Sequence, residues 1–108
     1  MYQIYFYVPK DSVEKVKEAM FSAGAGKIGE YQKCSWQVEG VGQFEPMQNA
    51  NPAIGSINRL EKVAEYRVEM VSEKRLIKEV LKAMKEVHPY EEVAYGVVEI
   101  LTIEDFGI

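Results

Sequence analysis

Five consecutive residues, His88-Pro89-Tyr90-Glu91-Glu92, bring together the only histidine of the chain, a proline, an aromatic ring and two carboxylates. An imidazole beside a carboxylate can hold a divalent cation or relay a proton. Adjacent residues of an extended segment point to opposite sides, so Glu91 and Glu92 do not converge on one ion. This singles out His88 and Glu91 as candidate metal ligands, with Tyr90 and Glu92 turned toward a polar small molecule. A second account needs no ligand: a protonated His88 sits favourably at a helix C-terminus, Pro89 forbids further helix, Tyr90 packs and the carboxylates are solvated. Acid–base catalysis by His88 with Glu91 lacks an identifiable nucleophile or oxyanion donor nearby.

Other residues carry weaker signals. Glu65, Arg67 and Glu69 alternate along one face of a strand, an arrangement that suits an ion-pair ladder at the core of an oligomer, a solvated face, or an anion or metal site on an axis. Gly24-Ala25-Gly26-Lys27-Ile28-Gly29 lacks the spacing and the hydroxyl residue of a phosphate loop and follows a helix instead of a strand. Its amides and Lys27 can still cradle an anion. Trp36 and Phe44 read as core and loop anchors, with Trp36 in an aromatic ligand cleft as the alternative. Cys34 stands alone in an apolar stretch and reads as a small buried side chain; one cysteine excludes intrachain disulfides and thiolate zinc sites.

The periodicities place these residues on a β-α-β-β-α-β chain. Residues 2–8 alternate Ile4, Phe6 and Val8 against Tyr5 and Tyr7, so both faces of this strand are expected to be covered. Asp11 is positioned to cap a helix whose stripe is Val13, Val16, Ala19, Met20 and Ala23, ended by Gly24 and Gly26. A second strand spans Tyr31 to Glu39, with Gly40 and Gly42 as breakers, and Val41 to Leu60 is an aperiodic loop. Loops of this length in a small domain are usually functional or interfacial. A third strand runs Val63 to Val71, with Ala64, Tyr66, Val68 and Met70 inward. Ser72 is placed to cap a second helix carrying Leu76, Ile77, Val80, Leu81, Met84 and Val87, and Val93 to Leu101 forms the fourth strand.

Two right-handed βαβ halves of this kind make a ferredoxin-like α+β plait: a four-stranded antiparallel sheet with both helices on one face. The bare face then carries Tyr5, Tyr7 and much of the fourth strand, which predicts an oligomer that covers it. At 108 residues the chain is one domain, 47% hydrophobic, with a net charge of −4 and its Lys and Arg dispersed. That distribution offers no footprint for nucleic acid. No stretch approaches the ~20 apolar residues of a membrane span. The chain opens on a strand without a signal-like segment, and a cytoplasmic location is expected.

The motifs Gly26-x-x-Gly29-x-Tyr31-x-x-Cys34-Ser35-Trp36-Gln37, Gly40-x-Gly42-x-Phe44-x-Pro46, Pro52-x-Ile54-Gly55, Glu65-x-Arg67-x-Glu69 and His88-Pro89-Tyr90-Glu91-Glu92-x-Ala94-Tyr95 together resemble the inserted domain of YqfO-type, NGG-interacting-factor-three-like proteins, over nearly the whole chain. The resemblance implies a PII/CutA-like domain, here as a chain of its own, and a homotrimer assembled through the open sheet face. It also implies that the two-metal centre of the full-length relatives, built from flanking domains, is not reproduced by a chain with one histidine. The expected function is therefore a non-catalytic oligomer that binds or senses a small ligand or a divalent metal at clefts between subunits, with Lys27, Trp36, Tyr90 and Glu92 facing the ligand. The alternatives are a ligand-free interaction module and, least favoured, a metal-dependent nucleotide hydrolase.

Overall fold

A computed structural model describes residues 1–108. Strand β1 (Tyr2–Pro9) leads through a 3-10 turn into helix α1 (Val13–Ser22). Strands β2 (Trp36–Phe44) and β3 (Glu61–Ser72) follow, then helix α2 (Ile77–Val87) and strand β4 (Tyr95–Glu99). The strands form one antiparallel sheet in the order β2-β3-β1-β4, the ferredoxin-like arrangement expected from the alternation of elements.

The core explains why this order is stable. Ile4, Phe6 and Val8 on one face of β1 join Val68 and Met70 of β3, Val13, Val16 and Met20 of α1, and Val80 and Met84 of α2 in one buried cluster. Period two in the strands and period 3.6 in the helices present these side chains to a single layer. Both helices therefore lie on the same side of the sheet.

Several boundaries differ from the sequence pattern, each for a local reason. Neither Asp11 nor Ser72 caps a helix: α1 and α2 are entered through 3-10 turns at Lys10–Ser12 and Lys74–Leu76, and Ser72 closes β3. Those tighter turns already bond part of the helix entry, as in the 3.1 Å bond from the Leu76 amide to the Glu73 carbonyl. Strand β2 begins at Trp36 because residues 28–31 turn back on themselves and Lys33 takes a positive φ of 57°. Cys34 consequently lies outside the sheet and is only partly buried.

Gly40 and Gly42 do not end β2. They sit inside it, and a side chain at Gly42 would run into the Glu65 carboxylate on the neighbouring strand. The aperiodic segment thus starts at residue 45. Ala64, expected inward, is exposed. The pairing of β1 with β3 stops at Pro9 opposite Glu65, so the first residues of β3 pair with β2 alone and form a two-stranded arm. The fourth strand is shorter than expected, Tyr95–Glu99.

The arm makes the molecule long. It measures 52 × 23 × 22 Å, with a radius of gyration of 15.4 Å, against about 13 Å for a compact domain of this size. Only 17 of 108 residues are buried, and Trp36, Val38, Val41, Val98, Leu101 and Phe106 are among the apolar side chains left exposed. A core this small leaves little tolerance. Phe6→Ala should cost about 3–5 kcal/mol, read as a lower midpoint in urea denaturation, whereas Val41→Ala on the arm should leave the folding of a single copy nearly unchanged.

Candidate functional site

The site is built where α2 stops. His88 takes the extended conformation that Pro89 imposes (φ −64°, ψ 134°), while its amide still bonds the Met84 carbonyl. Its ring turns inward and is 6% exposed. Nε2 lies 2.7 Å from the Tyr7 carbonyl oxygen of β1, and Nδ1 lies 3.1 Å from the Tyr90 amide. A carbonyl only accepts and an amide only donates. Nε2 therefore carries the proton and Nδ1 is bare: the imidazole is neutral, with both nitrogens in use. Burial pushes its pKa below the ordinary histidine value, opposed by the Tyr7 carbonyl and by Glu65.

This clamp aims Tyr90 across the sheet. Its ring packs against His88 at 5.2 Å and Phe44 at 5.8 Å between centroids, and its hydroxyl donates to Glu65 Oε2 at 2.8 Å. Burial, reinforced by the Glu65 carboxylate, raises the Tyr90 pKa well above the usual phenol range, so the hydroxyl keeps its proton and remains the donor. Glu91 Oε1 accepts a 2.8 Å bond from the Asn51 amide, tying the long segment back to the turn after α2. Between them opens a groove of about 880 Å³, bordered by Tyr7, Phe44, Glu65, Tyr90, Glu91 and Glu92 with residues 45–54 as its outer wall.

Beside the groove, on the sheet face without helices, Arg67 lies 4.3 Å over the Tyr5 ring, donates to the Tyr7 hydroxyl at 2.6 Å and pairs with Glu69 at 3.1 Å. The ion-pair ladder is thus two-membered. Glu65 leaves it for Tyr90. Tyr5 in turn leans over Gly96, where any side chain would collide with the ring.

The candidate residues named from sequence fall into separate groups. Tyr90, Glu91 and Glu92 border one groove, and His88 stands behind it as the buried clamp. Trp36 is no core anchor: it pairs with Glu69 on the open face and is 60% exposed, several residues along β2 from the groove. Lys27 is exposed in the turn after α1, also away from it. Tyr7 and Glu65 were not singled out for the groove. The glycine at 42 was their available signal, because a glycine inside a strand marks the close approach of another group.

The residues as placed do not fit a divalent metal in one chain. No three His, Cys, Asp or Glu side chains converge on a point, both His88 nitrogens are engaged, and Glu91 is bonded to Asn51. Protonating His88 would set a second donor against the Tyr90 amide. Stability should be full above about pH 6.5 and fall as pH drops through that value toward the lower folded one, because the unfolded chain takes up a proton that the folded chain resists. The urea midpoint should be lower at about pH 5.5 than at about pH 7.5, and His88→Gln should flatten that difference; an unchanged slope in the variant would contradict the clamp.

Comparison with known proteins agrees with this fold. No family model matches the chain. It is 53% identical over 91 residues to the GTP cyclohydrolase 1 type 2 homolog of Mycobacterium tuberculosis, a match covering 84% of this chain and 24% of that protein. A solved Bacillus cereus protein related to NIF3 superposes with a TM-score of 0.76 at 40% identity, over 89% of this chain and 24% of its own. CutA1 from Pyrococcus horikoshii superposes with a TM-score of 0.67 at 19% identity, over 93% of this chain and 83% of its own, and shows the shared fold. The chain spans about a quarter of the length of the curated relatives it matches. With half its aligned residues shared with such proteins and the same plait in the NIF3-related structure, the chain is homologous to one segment of NIF3/YqfO-type proteins, a segment with the CutA-like fold.

Proposed function

We propose that the chain is a non-catalytic PII/CutA-like domain that assembles as a homotrimer and binds a small ligand in grooves completed where copies meet. The observation that carries this reading is the groove at Tyr90 and Glu65, sited beside a sheet face that no helix covers. Its volume lies within the roughly 300–1,000 Å³ of small-molecule sites. The elongated body and its exposed Trp36, Val38 and Val98 argue for self-association, because apolar surface left wet on a monomer is costly. A single free cysteine accords with a cytoplasmic setting.

Catalysis finds little support in the site. The one imidazole is spent on backbone groups, and no nucleophile stands beside it. The name GTP cyclohydrolase 1 type 2 homolog belongs to proteins of which this chain matches 24%. Within such a protein we assign this segment to assembly or ligand sensing, and the reaction to the remainder. A divalent ion at Glu91 would need donors from a second copy.

Sedimentation equilibrium at micromolar concentration should return three times the 12.3 kDa chain mass. Val38→Glu together with Val98→Glu, both on the uncovered face, should shift the population toward single chains. A wild-type chain that sediments alone would remove the shared clefts and the reading with them.

A further inference from the structure

The chemistry of the groove defines the charge of its occupant; this deepens the ligand-binding reading above and rests on it. Four carboxylates line it, Glu45, Glu65, Glu91 and Glu92, and no Lys, Arg or His does. Three of them are exposed, but Glu65 is 8% exposed. Its Oε2 takes the Tyr90 hydroxyl, while its Oε1 lies over Gly42 and receives no hydrogen bond from the chain. No ion pair of the chain includes Glu65. Glu65 Oε1 is not sealed from solvent, since no buried side-chain oxygen of the chain lacks a partner, and an ionised carboxylate opening on a groove attracts a cation. Here the chain supplies none.

Two observations decide what kind of cation fits. No three acidic or imidazole groups converge on a point, so a hard divalent ion would have to take most of its six or more oxygens from water. The remaining wall is largely apolar, with the rings of Tyr7, Phe44 and Tyr90, and carries three amide side chains, Gln43, Gln48 and Asn49. Ring faces attract ammonium and guanidinium groups, and the same carboxylates repel phosphates. We infer that the groove binds an extended organic cation of the polyamine or alkyl-guanidine class, one charged end held by Glu65 and the other by the exposed carboxylates of the groove, Glu45 and Glu92 foremost.

Isothermal titration calorimetry of the purified chain with spermidine, ATP and magnesium chloride tests this. Spermidine should bind, weaken tenfold or more in Glu65→Gln, which keeps an acceptor for Tyr90, and keep its affinity in Glu79→Gln, an equal charge change on the exposed side of α2. Should Glu65→Gln lose its native fold, Glu45→Gln with Glu92→Gln carries the same comparison, because both side chains are exposed. Spermidine binding that ignores these groove substitutions, or falls equally in Glu79→Gln, overturns the assignment, as does tight binding of ATP or magnesium alone; in the last case a ligand groove still stands. Failure of all three probes to bind removes both the cation and the groove reading.

Discussion

A neutral imidazole bridging two backbone groups holds this site together. His88 joins the end of β1 to the turn that follows α2, through the Tyr7 carbonyl and the Tyr90 amide. Hydrogen bonds of this sort contribute about 1 kcal/mol each, and leaving a buried partner unpaired costs more. Their larger effect is geometric. They fix where Tyr90 stands, hence that its hydroxyl reaches Glu65 and that its ring meets Phe44. Without that bridge the groove would lose its inner wall.

The clamp also reassigns the residue that looked most chemical. A lone histidine followed by proline, tyrosine and two glutamates invites a metal or a proton relay. Residue type alone does not reveal how many of the ring nitrogens are already taken. Here the helix stop and the site share the same five residues, and the stop uses the imidazole.

Much of the fold was legible because its periodicities are strong. The α2 stripe and the alternation in β1 and β3 point to one core layer, and the structure places Phe6, Val68, Val80 and Met84 there. The site was legible only in half. Tyr90, Glu91 and Glu92 are contiguous, so local chemistry drew attention to them. Tyr7 and Glu65 reach the groove through register, Tyr7 opposite Arg67 and Glu65 opposite Pro9, a relation absent from either segment taken alone. The exposure of Trp36 was hidden for a related reason: alternation gives two faces but not which one the helices cover. Gly42 was misread as a breaker because the pressure on it comes from another strand.

The arm beyond Glu65 has a consequence for how the molecule responds. A pair of strands without a third is marginal in water on its own, so its curvature is set by whatever rests against it. Phe44, at the far end of β2, touches Tyr90, and Gly42 lies under Glu65. Anything gripping this ribbon from outside would therefore press on the residues at the base of the groove. On the proposed reading, occupancy and assembly would be two readouts of a single lever, connected by a glycine that leaves room for a carboxylate.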